Sequence, residues 1–194
     1  GSCFKKDILN LVYICNHYGL YEVAAYWQKV IEINNWQQKR ISSLIVDKLF
    51  GNLSGKKISI LGFAFKANTN DTRESPSIKI CKELLQEAVN LSIYDPRVTR
   101  KQITLDLEKP ENLNIEKSYS EGSWVFCNSI QECTINSDAI LILTEWDEFR
   151  NINWEDISKN MRKPSWVFDT RSIADLNMAK KYGLNTWRVG MEYN

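Results

Sequence analysis

At 194 residues, 43% of them hydrophobic, the chain can bury a sizeable core with an appendage, which excludes disorder as its working state. Its 25 Lys and Arg against 24 Asp and Glu leave a formal charge of +1, so no net field draws it to nucleic acid or to a membrane surface, and a bound anion must be held by a local cluster. Five cysteines without C-x-x-C spacing argue against a disulfide framework and against zinc, and they suit a reducing, cytoplasmic compartment.

No apolar run reaches the roughly 18 residues of a spanning helix, and the start carries no signal-peptide pattern. The opening Gly-Ser in place of Met is read as the mark of a fragment or a cloning remnant.

Ile8, Leu9, Val12 and Tyr13 recur at helical spacing, predicting an amphipathic helix that begins near Ser2 or Cys3, runs through His17 and ends at Gly19. A second helical pattern runs from Glu22 to about Phe50 without Pro or Gly, through Val23, Tyr26, Trp27, Val30, Ile31, Trp36, Ile41, Leu44 and Ile45. A helix that long and that aromatic is expected to bury a second face against another domain or subunit, so residues 22–50 are the candidate dimer contact. Gly51, Asn52, Ser54 and Gly55 then punctuate the chain, and the boundary is drawn between a helical segment 1–55 and an α/β domain 56–194.

Beyond it, strands alternate with helices. Strands are predicted at Ile58–Leu61, Leu91–Tyr94, Ala139–Leu143, Trp166–Phe168 and Leu184–Val189, and helices at Ile78–Val89, Ile130–Ile135, Trp154–Met161 and Met178–Tyr182. Trp124–Cys127 reads as a short strand or a loop, and Arg97–Gly122 as a polar stretch without clear period. This alternation predicts an α/β fold: a Rossmann-like, mostly parallel sheet with helices on both faces, preceded by the helical segment.

The crevice beyond the carboxyl ends of such strands is where open α/β sheets bind ligands. The loop after the first strand carries Phe65, Lys66, Asn68, Asn70, Asp71, Arg73 and Glu74. Its ammonium and guanidinium could hold phosphate or sugar hydroxyls, or Asp71 and Arg73 could simply pair with each other. Asp169 and Arg171 end another strand and could reach the same crevice, although Arg171 could equally be a surface partner of Asp169 or Asp175. No G-x-G-x-x-G occurs, so a dinucleotide fingerprint is absent.

Cys3, in the first turn of a helix with Lys6 one turn on, has the setting that favours a thiolate, and Asp7 at i+4 shares its face. The competing reading is a small packing residue, which is how Cys15, Cys81, Cys127 and Cys133 are read. His17, the only histidine, lies near a helix end and reads as a surface or capping residue, and no metal constellation is present. The seven tryptophans are dispersed, which gives no stacking platform for nucleic acid.

Taken together, GSCFKKD at 1–7, the long helix with Asn34 and Gln37, ILGFAFKANTNDTRES at 60–75, IYDP at 93–96, LTEWDEF at 143–149 and FDTRS at 168–172 resemble the UDP-glucose 6-dehydrogenases of animals and plants, in that family's order and approximate spacing. The resemblance implies an NAD-binding domain, a central helix and a UDP-binding domain, of which this chain holds the last two. It implies a two-step oxidation of UDP-glucose to UDP-glucuronate with two NAD, and a homodimer or higher homo-oligomer.

It also implies roles for individual residues. Cys3 becomes the thiolate that attacks the aldehyde intermediate, with Asp7 assisting hydrolysis of the thioester; Cys3, Lys6 and Arg73 border NAD; Phe65, Lys66 and Arg171 contact the UDP-sugar. The fragment alone is expected to bind UDP-sugar without turnover. The other readings are a dehydrogenase of UDP-N-acetylmannosamine or GDP-mannose, and a non-catalytic dimerisation and nucleotide-binding module. Ala67-Asn68 and Thr170-Arg171-Ser172 depart from the family's more usual residues at those places.

Overall fold

A computed structural model of the chain describes residues 2–112 and 122–190. It divides into two compact units between Gly51 and Asn52. The first is a pair of helices, α1 (Ser2–His17) and α2 (Tyr21–Lys48), packed against each other. Their turn uses Gly19 at φ +70°, a conformation that costs a residue without Cβ little. Ile8, Cys15, Ala24 and Ile31 are buried, while Tyr13, Tyr18, Tyr21, Tyr26, Ile33 and Trp36 remain exposed.

The second unit is a six-stranded sheet in the order β3-β2-β1-β4-β5-β6, formed by β1 (Lys57–Leu61), β2 (Asn90–Tyr94), β3 (Ser123–Phe126), β4 (Ala139–Ile142), β5 (Trp166–Asp169) and β6 (Asn185–Arg188). Every pairing is parallel, so each connection must cross over, and helices supply the crossings. These are α3 (Pro76–Gln86), α4 (Arg100–Leu107), α5 (Ile130–Thr134), α6 (Trp154–Asn160) and α7 (Leu176–Lys181). A 3-10 turn over Asp147–Asn151 precedes α6.

The central strands explain why the alternation was readable. Ile58, Ile60, Leu61 and all of Ala139–Ile142 are fully buried, the near-continuous apolar pattern expected of strands covered on both faces. The polar residues inside are satisfied: the Ser59 hydroxyl donates to the Cys133 carbonyl at 2.7 Å. Trp124 is fully buried and its indole N–H donates to the Lys109 carbonyl at 2.9 Å, which fixes residues 123–126 as a strand paired to β2 rather than a loop.

The stretch read as aperiodic contains α4. Thr99 caps it by accepting from the Gln102 amide at 3.3 Å, and only Ile103 and Leu107 bury, too few to give a visible period. Residues 113–121 of that stretch lie outside the described residues. Thr99→Ala removes the cap and is expected to lower the stability of the second unit by about 1 kcal/mol, read as a fall in its urea midpoint with unchanged slope. An unmoved midpoint would show the cap to be dispensable.

Candidate functional site

Strand order reverses between β1 and β4, since β1 passes through α3 to β2 on one side while β4 continues to β5 on the other. The crevice outside the carboxyl ends of these strands is the ligand position of the doubly wound architecture. Three loops border it: residues 62–75 after β1, 143–146 after β4 and 169–174 after β5.

The first loop is held from beneath by Asp95, at the end of β2. This carboxylate is 3% exposed. Its Oδ2 accepts from the amides of Phe63 at 2.7 Å and Ala64 at 2.9 Å and from the Trp146 indole at 3.2 Å. Its Oδ1 accepts from the amides of Arg97 and Val98, both at 2.9 Å.

Gly62 lets the backbone turn at φ +92°, where a Cβ would stand 2.4 Å from the Thr144 Cβ. The Thr144 hydroxyl in turn donates to the Ala64 carbonyl at 2.7 Å, locking the loops after β1 and β4 together. Ser75, the N-cap of α3, donates to the Phe63 carbonyl at 2.9 Å. Asn68, Glu74 and Ser172 adopt positive φ of 63°, 58° and 56°, conformations costly to residues with a side chain, in two of the three loops at the crevice.

The two cations of the first loop differ in availability. Arg73 folds back on Asp71 as a two-point fork, Nε to Oδ1 at 2.9 Å and Nη2 to Oδ2 at 2.8 Å, so the local pairing weighed from sequence is the arrangement adopted. That guanidinium holds the Asp71 carboxyl down at about 2 from its ordinary 3.8. Whatever the pair contributes is therefore complete above the ordinary value and is lost as pH falls through about 2. A carboxyl NMR titration is expected to place the Asp71 midpoint near 2 and to return it toward 3.8 in Arg73→Ala. A midpoint that Arg73→Ala leaves in place would contradict the assignment.

Lys66 is exposed and makes no hydrogen bond or ion pair with any described residue beyond its long-range effect on Asp71. Phe65 is half-buried, its amide donating to the Asp71 carbonyl at 2.9 Å.

Arg171 is arranged differently again. Asp169 is fully buried, and its carboxylate accepts from the amides of Arg171 and Ala174, both at 3.0 Å, and from the Arg188 guanidinium at 3.1 Å. The Arg171 side chain therefore pairs with neither Asp169 nor Asp175. Its Nε donates to the Leu143 carbonyl at 2.7 Å and stands 3.4 Å from Glu145 Oε2, while neither Nη group makes a hydrogen bond among the described residues. The stem is pinned and the forked edge is left available, the geometry suited to a phosphate or carboxylate.

The sheet order is one that elsewhere binds dinucleotides, but these residues do not fit one. No glycine triplet follows β1, and Asp95, where the ribose-binding acid of that motif would lie, is fully committed to backbone and indole donors.

Cys3, Lys6 and Asp7 lie in the first two turns of α1, all three exposed. The i, i+3, i+4 spacing puts them on one helix face. Cys15, Cys81, Cys127 and Cys133 are buried, in keeping with packing roles, and burial pushes the Cys81 thiol well up. No group of metal ligands occurs among the described residues, and no helix among them is long and apolar enough to cross a membrane. Asp95, Thr144, Glu145 and Trp146 are not among the candidate residues that the sequence alone offers. Their signals were present as Asp95-Pro96 after an apolar run and as the polar end of LTEWDEF.

Fold and crevice define a doubly wound α/β module that carries cationic loop side chains, rather than a glycine-rich turn, at its strand ends. Residues 59–176 match the model of the UDP-glucose/GDP-mannose dehydrogenase family, UDP binding domain, and the chain belongs to that family. It is 45% identical over 197 residues to UDP-glucose 6-dehydrogenase 2 of Arabidopsis thaliana, a match covering 98% of this chain and 41% of that protein. It is 42% identical over 193 residues to UDP-glucose 6-dehydrogenase of Drosophila melanogaster, covering 100% and 40%. The chain thus spans about two fifths of the length of these relatives. In fold it is similar to a UDP-glucose dehydrogenase of Pyrobaculum islandicum, with a TM-score of 0.70 at 22% identity, covering 96% of this chain and 37% of that one.

Proposed function

We propose that this chain is the substrate-binding part of an NAD-dependent UDP-glucose 6-dehydrogenase and that it binds UDP-glucose at the carboxyl ends of β1, β4 and β5. The observation that carries the reading is the pair of uncommitted cations there, the Lys66 ammonium and the Nη edge of Arg171, on a chain of this family. Phe65 supplies an apolar surface beside them.

The oxidation of a primary alcohol to a carboxylate removes four electrons, and NAD, taken twice, is the proposed acceptor. Cys3, Lys6 and Arg73 are the residues of this chain proposed to border it. In the chemistry assigned to α1, the Cys3 thiolate forms a C–S bond to the aldehyde carbon while the carbonyl oxygen takes a proton, giving a thiohemiacetal. Oxidation turns this into a thioester, and water displaces the sulfur, with Asp7 placed to accept the water's proton. Residues 22–50 are the proposed homodimer contact, supported by the exposed Tyr26, Ile33 and Trp36, and sedimentation as a monomer at high concentration would remove that part. The compartment proposed is the cytoplasm.

Calorimetric titration of the chain tests the substrate assignment. UDP-glucose is expected to bind without turnover and more tightly than GDP-mannose, and Lys66→Ala and Arg171→Ala are each expected to weaken it by about tenfold or more, the weight of one charge-assisted hydrogen bond. Binding that neither substitution weakens would place the nucleotide elsewhere.

A further inference from the structure

In LTEWDEF, Thr144 and Trp146 hold the crevice loops, and the first glutamate, Glu145, sits between the two proposed anion-binding cations. Glu145 follows β4, at the point where strand order reverses. Its Oε1 accepts from the Ala67 amide at 3.3 Å, the residue immediately after Lys66. Its Oε2 lies 3.4 Å from Arg171 Nε, is buried, and makes no hydrogen bond of its own. Arg171 Nε is meanwhile turned toward the Leu143 carbonyl, so the carboxylate and that carbonyl together face the stem side of the guanidinium. One side chain thus touches the loop of one cation and the guanidinium of the other, from the strand between them.

We propose that Glu145 is a positioning residue for the sugar-nucleotide site: it orients Arg171 with its Nη edge toward the crevice and holds the Lys66 loop beside it. The inference rests on the proposed assignment of Lys66 and Arg171 to the UDP-sugar. A glutamate placed near bound phosphates would otherwise only repel them, and a carboxylate that merely neutralised Arg171 would weaken binding rather than support it. Orientation has the opposite sign because an arginine fork binds phosphate strongly only when its planar geometry is presented, and a mobile guanidinium must be ordered at the moment of binding.

The opposite signs make a double-mutant cycle decisive. Affinity for UDP is measured by calorimetry on the 194-residue chain carrying Glu145→Ala, Arg171→Ala or both, with unfolding midpoints recorded alongside. Glu145→Ala is expected to weaken UDP about fivefold to tenfold when Arg171 is present and less than twofold when Arg171 is already alanine. Glu145→Gln, which keeps the shape and an acceptor oxygen for Ala67, is expected to recover part of the loss and serves if the alanine variant does not fold. Three results overturn the inference: unchanged affinity, an equal change in both backgrounds, or tighter binding when Glu145 is removed. Failure of the unsubstituted chain to bind UDP would instead overturn the site assignment itself and the inference with it. Normal binding by that chain with no coupling overturns the inference alone.

Discussion

Asp95→Ala is expected to cost the second unit about 4 kcal/mol or more, because it leaves five buried or half-buried donors, the amides of Phe63, Ala64, Arg97 and Val98 and the indole of Trp146, without their acceptor. A typical domain has only about 5–15 kcal/mol in all, so the variant should unfold at a much lower urea concentration. The same change frees the backbone that leads into Phe65 and Lys66, so UDP-glucose binding should fall even at temperatures where the sheet is intact. Asp95→Asn keeps one carbonyl oxygen but turns an NH2 group toward donors, and should fall between the two. A stability within about 0.5 kcal/mol of the unsubstituted chain, the range of ordinary surface changes, would show that the carboxylate is not what holds the loop.

Gly62→Ala carries the second large effect, for two independent reasons. The residue sits at φ +92°, a region that residues with a side chain occupy only at a cost of about 1–3 kcal/mol. A Cβ there would stand 2.4 Å from the Thr144 Cβ and 2.8 Å from the Thr144 amide nitrogen, and the backbone atom cannot swing aside as a flexible side chain would. Together these give about 3–5 kcal/mol. Thr144→Ser keeps both the Cβ and the hydroxyl oxygen that the new Cβ would meet, at 2.4 and 2.6 Å, so pairing it with Gly62→Ala should recover little of the loss. Full recovery in the double variant would mean that neither these contacts nor the φ value carries the cost.

Much of the fold was legible in the sequence because parallel strands buried on both faces are written as unbroken apolar runs. Ala139–Ile142 could be found that way, as could Ile58–Leu61 with Ser59 its one polar residue, and α3 between them carries enough period to be seen. What escaped notice was α4, which buries only Ile103 and Leu107 and depends on the Thr99 cap, and the 3-10 turn at Asp147–Asn151, too short for any period.

In the site, Lys66 and Arg171 were readable as charges at strand ends. The distinction between Arg171 and Arg73 was not. Arg73 finds its carboxylate two residues away, whereas Arg171 is pinned by Leu143 and Glu145 from the loop after β4, a contact that exists only once β4 and β5 lie side by side. Asp95 stands between an apolar run and Pro96, and its role is hidden in the sequence for the same reason. Its partners Phe63 and Ala64 are 32 and 31 residues back and Trp146 is 51 residues on, and none of these pairings has a local signature.

The sugar nucleotide is proposed to lie at the carboxyl ends of β1, β4 and β5, between Lys66 and Arg171. Backbone amide NMR of the chain during a UDP-glucose titration tests it most directly. The shifts are expected to concentrate in residues 62–74, 143–146 and 169–172. A groove of about 450 Å³ lies elsewhere on this unit, lined by Trp166, Lys180, Gly183, Leu184, Asn185 and Thr186 at the opposite end of β5 and β6. Shifts concentrated there, with the loops after β1 and β5 unmoved, would contradict it.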